Sequence, residues 1–220
     1  MNFGLAFSYV FKDKKWFEKI ILPALCSLIP IIGPFIPAGW GLKAAKNVME
    51  GNRENALPNL DFGKDLGRGF LAAVITFIYN LPVVILIAIG TFLIVAGSDA
   101  NSWVPLTFGI CLTVFGAILA LFLNFLSLIG IANFVGKGNF GAAFRFNEVF
   151  AMLKKSFGAW LLVLLGQILV MSFVAPLGTI VFIIGAIVTS TYATAVYSHL
   201  LGQAYYKSTE PGLMEVEPLE

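Results

Sequence analysis

Long apolar segments without a charged residue constrain this chain more than any other feature of its sequence. A helix needs about 20 apolar residues, and as few as about 17, to cross the hydrocarbon core of a bilayer. Charged residues make up 12% of the 220 positions, which is about half their share in a soluble domain. We therefore expect a multi-pass protein of the cell membrane, with four full transmembrane helices over residues 70–96, 104–135, 159–175 and 179–203.

The apolar stretch 20–40 is also long enough to cross a bilayer, but prolines interrupt it at positions 23, 30, 34 and 37. Proline removes a backbone donor and clashes with the preceding turn, so one straight helix is not expected. Two interpretations stay open: a single kinked span, or a helical hairpin that enters and leaves on the same side. Irregular backbone at that depth needs cover from protein or water.

The distribution of positive charge bears on this choice. Lys and Arg concentrate in the short cytoplasmic loops of membrane proteins, and the connections 97–103 and 176–178 contain neither. If 20–40 is a hairpin, all 14 Lys and Arg residues lie on the cytoplasmic side. A single crossing would instead place the N-terminal lysines outside. The charges favour the hairpin, and they predict a cytoplasmic C-terminus in both cases.

Two amphipathic segments, 1–19 and 138–156, are predicted to lie at the cytoplasmic interface. Each carries an apolar stripe at helical spacing next to basic residues, with the stripes formed by Phe3, Phe7, Val10 and Phe11 and by Phe146, Val149, Phe150 and Leu153. Such helices place aromatic side chains in the bilayer and basic ones near the phosphates. The predicted contacts with anionic headgroups are Lys14, Lys15, Arg145, Lys154 and Lys155. The alternative is that both segments pack beneath the bundle.

These elements predict an all-α fold, an integral membrane helical bundle forming a single membrane domain over residues 1–207. Residues 41–69 form a cytoplasmic connector, whose first half has the spacing of a short helix. The acidic, proline-containing tail 208–220 is expected to be disordered.

The predicted spans contain few groups that could do chemistry. No Asp, Glu, Lys or Arg lies in the four spans, and Cys26 and Cys111 sit in apolar runs. Hydrolysis in a membrane usually needs paired carboxylates, a metal, or a nucleophile with a base. His199 could be a pH-sensitive or substrate-binding group, or an interfacial histidine bonded to a neighbour. We expect no enzymatic activity, cofactor or metal, and a net charge of +2 gives no reason to expect nucleic acid.

Neutral polar and small residues in the spans suggest helix packing. Small residues occupy every fourth position of the last span and form one face. This face can pack against a helix of this chain or of a second copy. Its residues are Ala186, Ser190, Thr194, Ser198 and Gly202. Four polar residues either hydrogen-bond between helices or line a polar path: Asn80, Asn124, Gln167 and His199.

Several segments, in the same order, resemble a known family. They are "MNFGLAFSYVFKDKKWFEKI", "GWGLKAAKNVMEG", "LPNLDFGKDLGRGF" and "AFRFNEVFAMLKK". Together they look like the prokaryotic membrane proteins of domain of unknown function 4013, from residue 1 to about Lys207. The resemblance implies family membership and transfers no catalytic residues. The "AFRFNEVF" helix is also similar, more distantly, to the membrane domain of glycerophosphodiester phosphodiesterases, which implies a role near lipid.

The sequence thus predicts a non-enzymatic membrane protein with a structural, scaffold or lipid-interacting role. Its expected partners are membrane lipids, and either a second copy or another subunit of a membrane complex. The alternative is an uncoupled channel or transporter for a neutral or lipid-like solute, and a lipid-modifying enzyme is the third interpretation.

Overall fold

A computed structural model describes residues 1–100 and 102–209, with residues 180–184 described by their backbone. Throughout these residues the regular structure is helical. The α-helices are α1 (Phe3–Lys12), α2 (Trp16–Cys26), α3 (Phe35–Met49), α4 (Phe62–Asp99), α5 (Trp103–Lys137), α6 (Phe146–Lys155), α7 (Phe157–Leu169), α8 (Ala175–Leu177) and α9 (Phe182–Thr209). A π-helical turn (Val170–Val174) joins α7 to α8, and 3₁₀ turns occupy Phe140–Phe144 and Gly178–Val181.

Three helices in the described part of the chain are long and apolar enough to cross a membrane: Phe62–Asp99, Trp103–Lys137 and Phe157–Leu177. They contain the predicted spans 70–96, 104–135 and 159–175. The predicted fourth span, 179–203, falls largely in α9. Its residues 180–184 lie outside the residues whose side chains are described, and the described remainder of α9 is not among the three. From Thr189 onward, Ser, Thr, Tyr and His residues interrupt the apolar sequence of α9 and lower its mean hydropathy.

The chain divides into two compact units. The first contains residues 1–73 and 129–209 of the described chain, and the second contains Val74–Leu128.

The second unit is an antiparallel pair formed by most of α4 and most of α5. Gly90 lies against Gly109 and Thr113, and Gly97 lies against Leu106. A Cβ on Gly109 would come within 2.6 Å of the Gly90 carbonyl oxygen. Glycine therefore lets the two backbones approach closely, as small residues do between helices in lipid.

In the first unit, α9 packs against several other helices. It runs parallel to α3, since Gly41 lies against Ser198 and Val48 lies against Gly202. It runs antiparallel to α7, since the Ser156 hydroxyl donates to the Lys207 carbonyl at 3.4 Å while Gly166 contacts Leu200.

The stretch 20–40 is folded back on itself. Residues 27–34 form a turn between α2 and α3, with Ile31 at φ 69° and the Gly33 amide donating to the Ile29 carbonyl at 2.8 Å. Both arms reach the same loop, because Lys19 Nζ donates to the Leu57 carbonyl and Trp40 Nε1 to the Pro58 carbonyl, each at 3.0 Å. This is the geometry of a helical hairpin.

The start of α4 crosses α3 at very short range. A Cβ on Gly39 would overlap the Asp65 carbonyl oxygen, and one on Gly69 would overlap the Phe35 carbonyl oxygen. Asp65 is wholly buried here and forms an ion pair with Arg68 at 2.8 Å. Arg68 also donates to the Gly39 carbonyl at 3.3 Å, so hydrogen bonding reinforces the glycine contact.

Other boundaries differ from the predictions in detail. α3 extends through the first part of the connector 41–69, and α4 begins at Phe62. Segment 138–156 contains a 3₁₀ turn and α6 rather than one helix. Of the tail 208–220, residues 208 and 209 end α9, and the remainder lies outside the described residues.

Candidate functional site

A buried polar site of the first unit is centred on His199, which is wholly buried in α9. Its Nε2 lies 2.9 Å from the Arg53 carbonyl oxygen, and its Nδ1 lies 2.9 Å from Gln203 Nε2. A carbonyl only accepts a hydrogen bond and an amide nitrogen only donates one. The arrangement therefore assigns the proton to Nε2 and leaves the imidazole neutral, with both nitrogens occupied.

Gln203 connects this histidine to the first residues of the chain. Its Oε1 accepts from the Asn2 amide at 2.7 Å, and its Nε2 donates to the Asn2 carbonyl at 3.0 Å. Asn2 Oδ1 in turn accepts from the Leu5 amide at 2.8 Å, which caps α1. One glutamine thus holds the N-terminus of α1 against α9.

Aromatic side chains extend the contact between α1 and α9. The Tyr9 hydroxyl donates to the Ala195 carbonyl at 3.1 Å, and the Tyr192 hydroxyl donates to the Phe7 carbonyl at 2.7 Å. The Tyr9 ring also lies 4.5 Å from the His199 ring. Burial of Ala6, Tyr9 and Val10 shows that α1 packs into this unit. Of its predicted apolar stripe, Val10 is buried and Phe11 is 56% exposed.

The four residues of the predicted polar path lie in different units. Asn80 and Asn124 pair in the second unit, with reciprocal amide hydrogen bonds of 3.3 and 3.1 Å. Each also donates within its own helix, to the Thr76 and Ala120 carbonyls. Gln167, on α7, and His199 belong to the first unit, where Gln167 is half-buried.

Only part of the predicted small-residue face of α9 packs against another helix. Thr194, Ser198 and Gly202 lie against α3, where a Cβ on Gly41 would come within 2.6 Å of the Ser198 hydroxyl oxygen. Ser190 is exposed and Ala186 is half-buried. The half of this face nearer the C-terminus therefore contacts a helix of the same unit.

α6 has three distinct faces. Val149 and Met152 are buried against the unit, while Phe146 and Phe150 are 50% and 38% exposed. Lys154 and Lys155, on the last turn, are exposed as well. The predicted stripe is thus shared between the protein interior and the surface.

Glu148, near the start of α6, interacts with three polar side chains. It pairs with Lys137 at 2.7 Å and Arg145 at 3.3 Å, and accepts from Asn133 Nδ2 at 2.8 Å. These bonds, with that of Lys137 the strongest, lower the pKa of Glu148 to about 2. Beside it is an open pocket of about 450 Å³, lined by residues 144–148.

The remaining predicted headgroup contacts, Lys14 and Lys15, are exposed in the short connection between α1 and α2. Two ion pairs surround them: Lys12 with Glu54 at 2.9 Å, and Lys19 with Asp13 at 2.6 Å. The first joins the N-terminal segment to the connector. The hydrogen bond from Lys19 to Leu57 does the same.

Several residues of these contacts were not among the predicted site residues. Asn2, Arg53 and Gln203 act through bonds between distant parts of the chain, which no local pattern reveals. The spacing of His199 and Gln203, four residues apart on one helix, was the available signal. No such spacing marks Gly39 and Gly69, because the residues that they contact lie on a separate helix.

Among residues 1–100 and 102–209, no group of three His, Cys, Asp or Glu side chains could hold a metal ion. No curated protein and no solved structure matches the chain. The likeness to the membrane domain of glycerophosphodiester phosphodiesterases therefore stays a prediction. A family model described as "Protein of unknown function (DUF4013)" matches residues 22–190, and the chain belongs to that family.

Proposed function

We propose that the protein is a non-enzymatic membrane scaffold that binds anionic lipid headgroups through the basic residues around α6 and the N-terminal connection. These surfaces lie on the cytoplasmic side of the cell membrane, where the C-terminus also lies. In this role the protein is a platform for lipid and for a second copy or another subunit of a membrane complex.

The observation that carries the proposal is the division of α6 into three faces. Phe146 and Phe150 are exposed although the helix already has a buried apolar face at Val149 and Met152. Exposed aromatic residues beside lysines are typical of helices that lie in the headgroup region. A helix packed only against protein would not need this second apolar face.

The charges near this face support the same placement. Within the described chain, Lys154 and Lys155 have no carboxylate within 4 Å, whereas most other basic residues form ion pairs. Lysines near an anionic surface contribute about 1 kcal/mol each to binding. These two ammonium groups are therefore suited to phosphate groups of the membrane.

Lipid retention tests the proposal. We compare Lys154→Gln/Lys155→Gln with a control of equal charge change, Lys12→Gln/Lys64→Gln, in which both lysines are ion-paired. Native mass spectrometry of protein from bilayers of phosphatidylcholine and phosphatidylglycerol measures the bound phosphatidylglycerol. The first variant should lose about fivefold in preference per lysine, from about 1 kcal/mol each. Equal retention by both variants would refute headgroup binding at α6.

The solute-conducting alternative has less support. The side-chain amides of Asn80 and Asn124 bond to each other, and both nitrogens of His199 are occupied. Polar groups lining a water-filled path would instead present donors or acceptors to the solute.

A further inference from the structure

We infer that the turn between α2 and α3 is inserted among the acyl chains of one leaflet of the bilayer, entering from the side of the connector. The inference rests on the membrane placement in the proposed function. It adds a second contact with lipid, which is apolar, whereas the contact at α6 is basic. The occupant is the hydrocarbon of lipid tails.

The turn presents apolar side chains that are exposed in the described part of the chain. Ile31 is 88% exposed, Leu28 54% and Leu25 48%. From Ile20 to Leu42 the sequence contains no charged residue. The one hydroxyl of the turn, on Ser27, donates to the Ala24 carbonyl at 2.6 Å, so it requires no water. An apolar surface of this kind, exposed to water, would be costly.

The depth of insertion follows from the fold-back of the hairpin. Lys19 and Trp40 both bond to the loop at Leu57 and Pro58, and the lysine marks the aqueous end. From there, α2 continues for seven residues to Cys26, about 10 Å at 1.5 Å per residue, before the connecting turn begins. The hydrocarbon core is about 30 Å thick, so a hairpin of this length stays within one leaflet.

The direction of insertion follows from the helices that pack in the same unit. α3 runs parallel to α9, so the turn preceding α3 points toward the N-terminal end of α9. The charged residues Lys46, Arg53 and Lys207 lie toward the opposite end. The same unit contains Phe157–Leu177, which is apolar and long enough to span. Because this helix runs antiparallel to α9, the turn points toward its Leu177 end, away from Ser156 and Lys207.

Depth measurements with nitroxide labels test the inference in the full-length protein. Single cysteines are introduced in a Cys26→Ala/Cys111→Ala background, at Ile31 and Leu28 in the turn and at the exposed Lys14 as the aqueous control. Leu121, which is 75% exposed on the spanning helix α5, is the hydrocarbon control. The proteins are reconstituted in vesicles of phosphatidylcholine and phosphatidylglycerol.

We expect Ile31→Cys and Leu28→Cys to be accessible to oxygen and closed to a membrane-impermeant thiol reagent that labels Lys14→Cys. If the reagent labels both turn positions but not Leu121→Cys, the inference is overturned, whereas the membrane placement of the protein stands. Labelling of Leu121→Cys as well would refute that placement itself. Strong dipolar broadening at Ile31→Cys would show a second copy covering the turn, which also overturns the inference.

Discussion

Replacing Gly39 by alanine should destabilise the first unit although alanine is the better helix former. The added Cβ would overlap the Asp65 carbonyl oxygen of α4. This neighbour is backbone, so it cannot rotate away as a flexible side chain would. The two helices must separate, and the ion pair between the buried Asp65 and Arg68 must move with them.

The expected magnitude comes from two opposing effects. Alanine in a helix interior is favoured over glycine by about 0.5–1 kcal/mol. Forcing an extra carbon into a close-packed site costs about 1–3 kcal/mol, and more where backbone has to shift. Because the neighbour is backbone, the upper part of that range applies, about 2–3 kcal/mol, and after the helix gain we expect a net loss of about 1–2.5 kcal/mol in the free energy of unfolding.

Gly67 provides the matched control because it lies in α4 and a Cβ there would meet nothing within 4 Å. Gly67→Ala should therefore stabilise the protein by about 0.5–1 kcal/mol. Equilibrium unfolding by SDS in mixed micelles measures both changes. Opposite signs support the close helix crossing, whereas a gain in stability for Gly39→Ala would refute it.

Three further changes have defined outcomes. Gln203→Leu leaves Nδ1 of the buried His199 without its donor, so the free energy of unfolding in SDS titration should fall by about 1–3 kcal/mol; an unchanged value would contradict the network. In a double-mutant cycle of Asn80→Leu and Asn124→Leu, the coupling energy should be about 0.6–1.7 kcal/mol, and zero coupling would show that the amide pair contributes nothing. The pKa of Glu148 is lowered from 4.5 to about 2, so its contribution to stability is complete above about pH 4.5 and is lost as pH falls toward 2. Glu148→Gln should therefore reduce the loss of thermal stability between those pH values. The same dependence of thermal unfolding on pH in both proteins would contradict this prediction.

The parts of the fold that depend on local composition could be predicted from the sequence. The spans within α4, α5 and Phe157–Leu177 follow from the length of their apolar runs. The break between α2 and α3 contains Pro30, Gly33 and Pro34, and proline cannot continue the hydrogen-bond ladder. Family membership followed from ordered segments along most of the chain.

The parts that depend on pairing between distant residues could not be predicted. The apolar count of 179–203 predicts a span, and it does not reveal that hydroxyl residues such as Thr191 and Ser198 are buried within the first unit. The tautomer of His199, with its proton on Nε2, depends on a carbonyl from Arg53, 146 positions away. The contact of Gly39 with the start of α4 depends on how two helices cross, and neither helix signals that by itself.

The central claim is that residues 20–40 return to the side from which they leave, so that the N-terminal segment and the connector share one face of the membrane. The ion pair of Lys12 with Glu54 and the bond from Lys19 to Leu57 support it. The direct measurement is labelling of Lys14→Cys and Lys64→Cys with an impermeant thiol reagent in sealed vesicles of known orientation, in the cysteine-free background. The account predicts that both cysteines react from the same side, and reaction from opposite sides would contradict it.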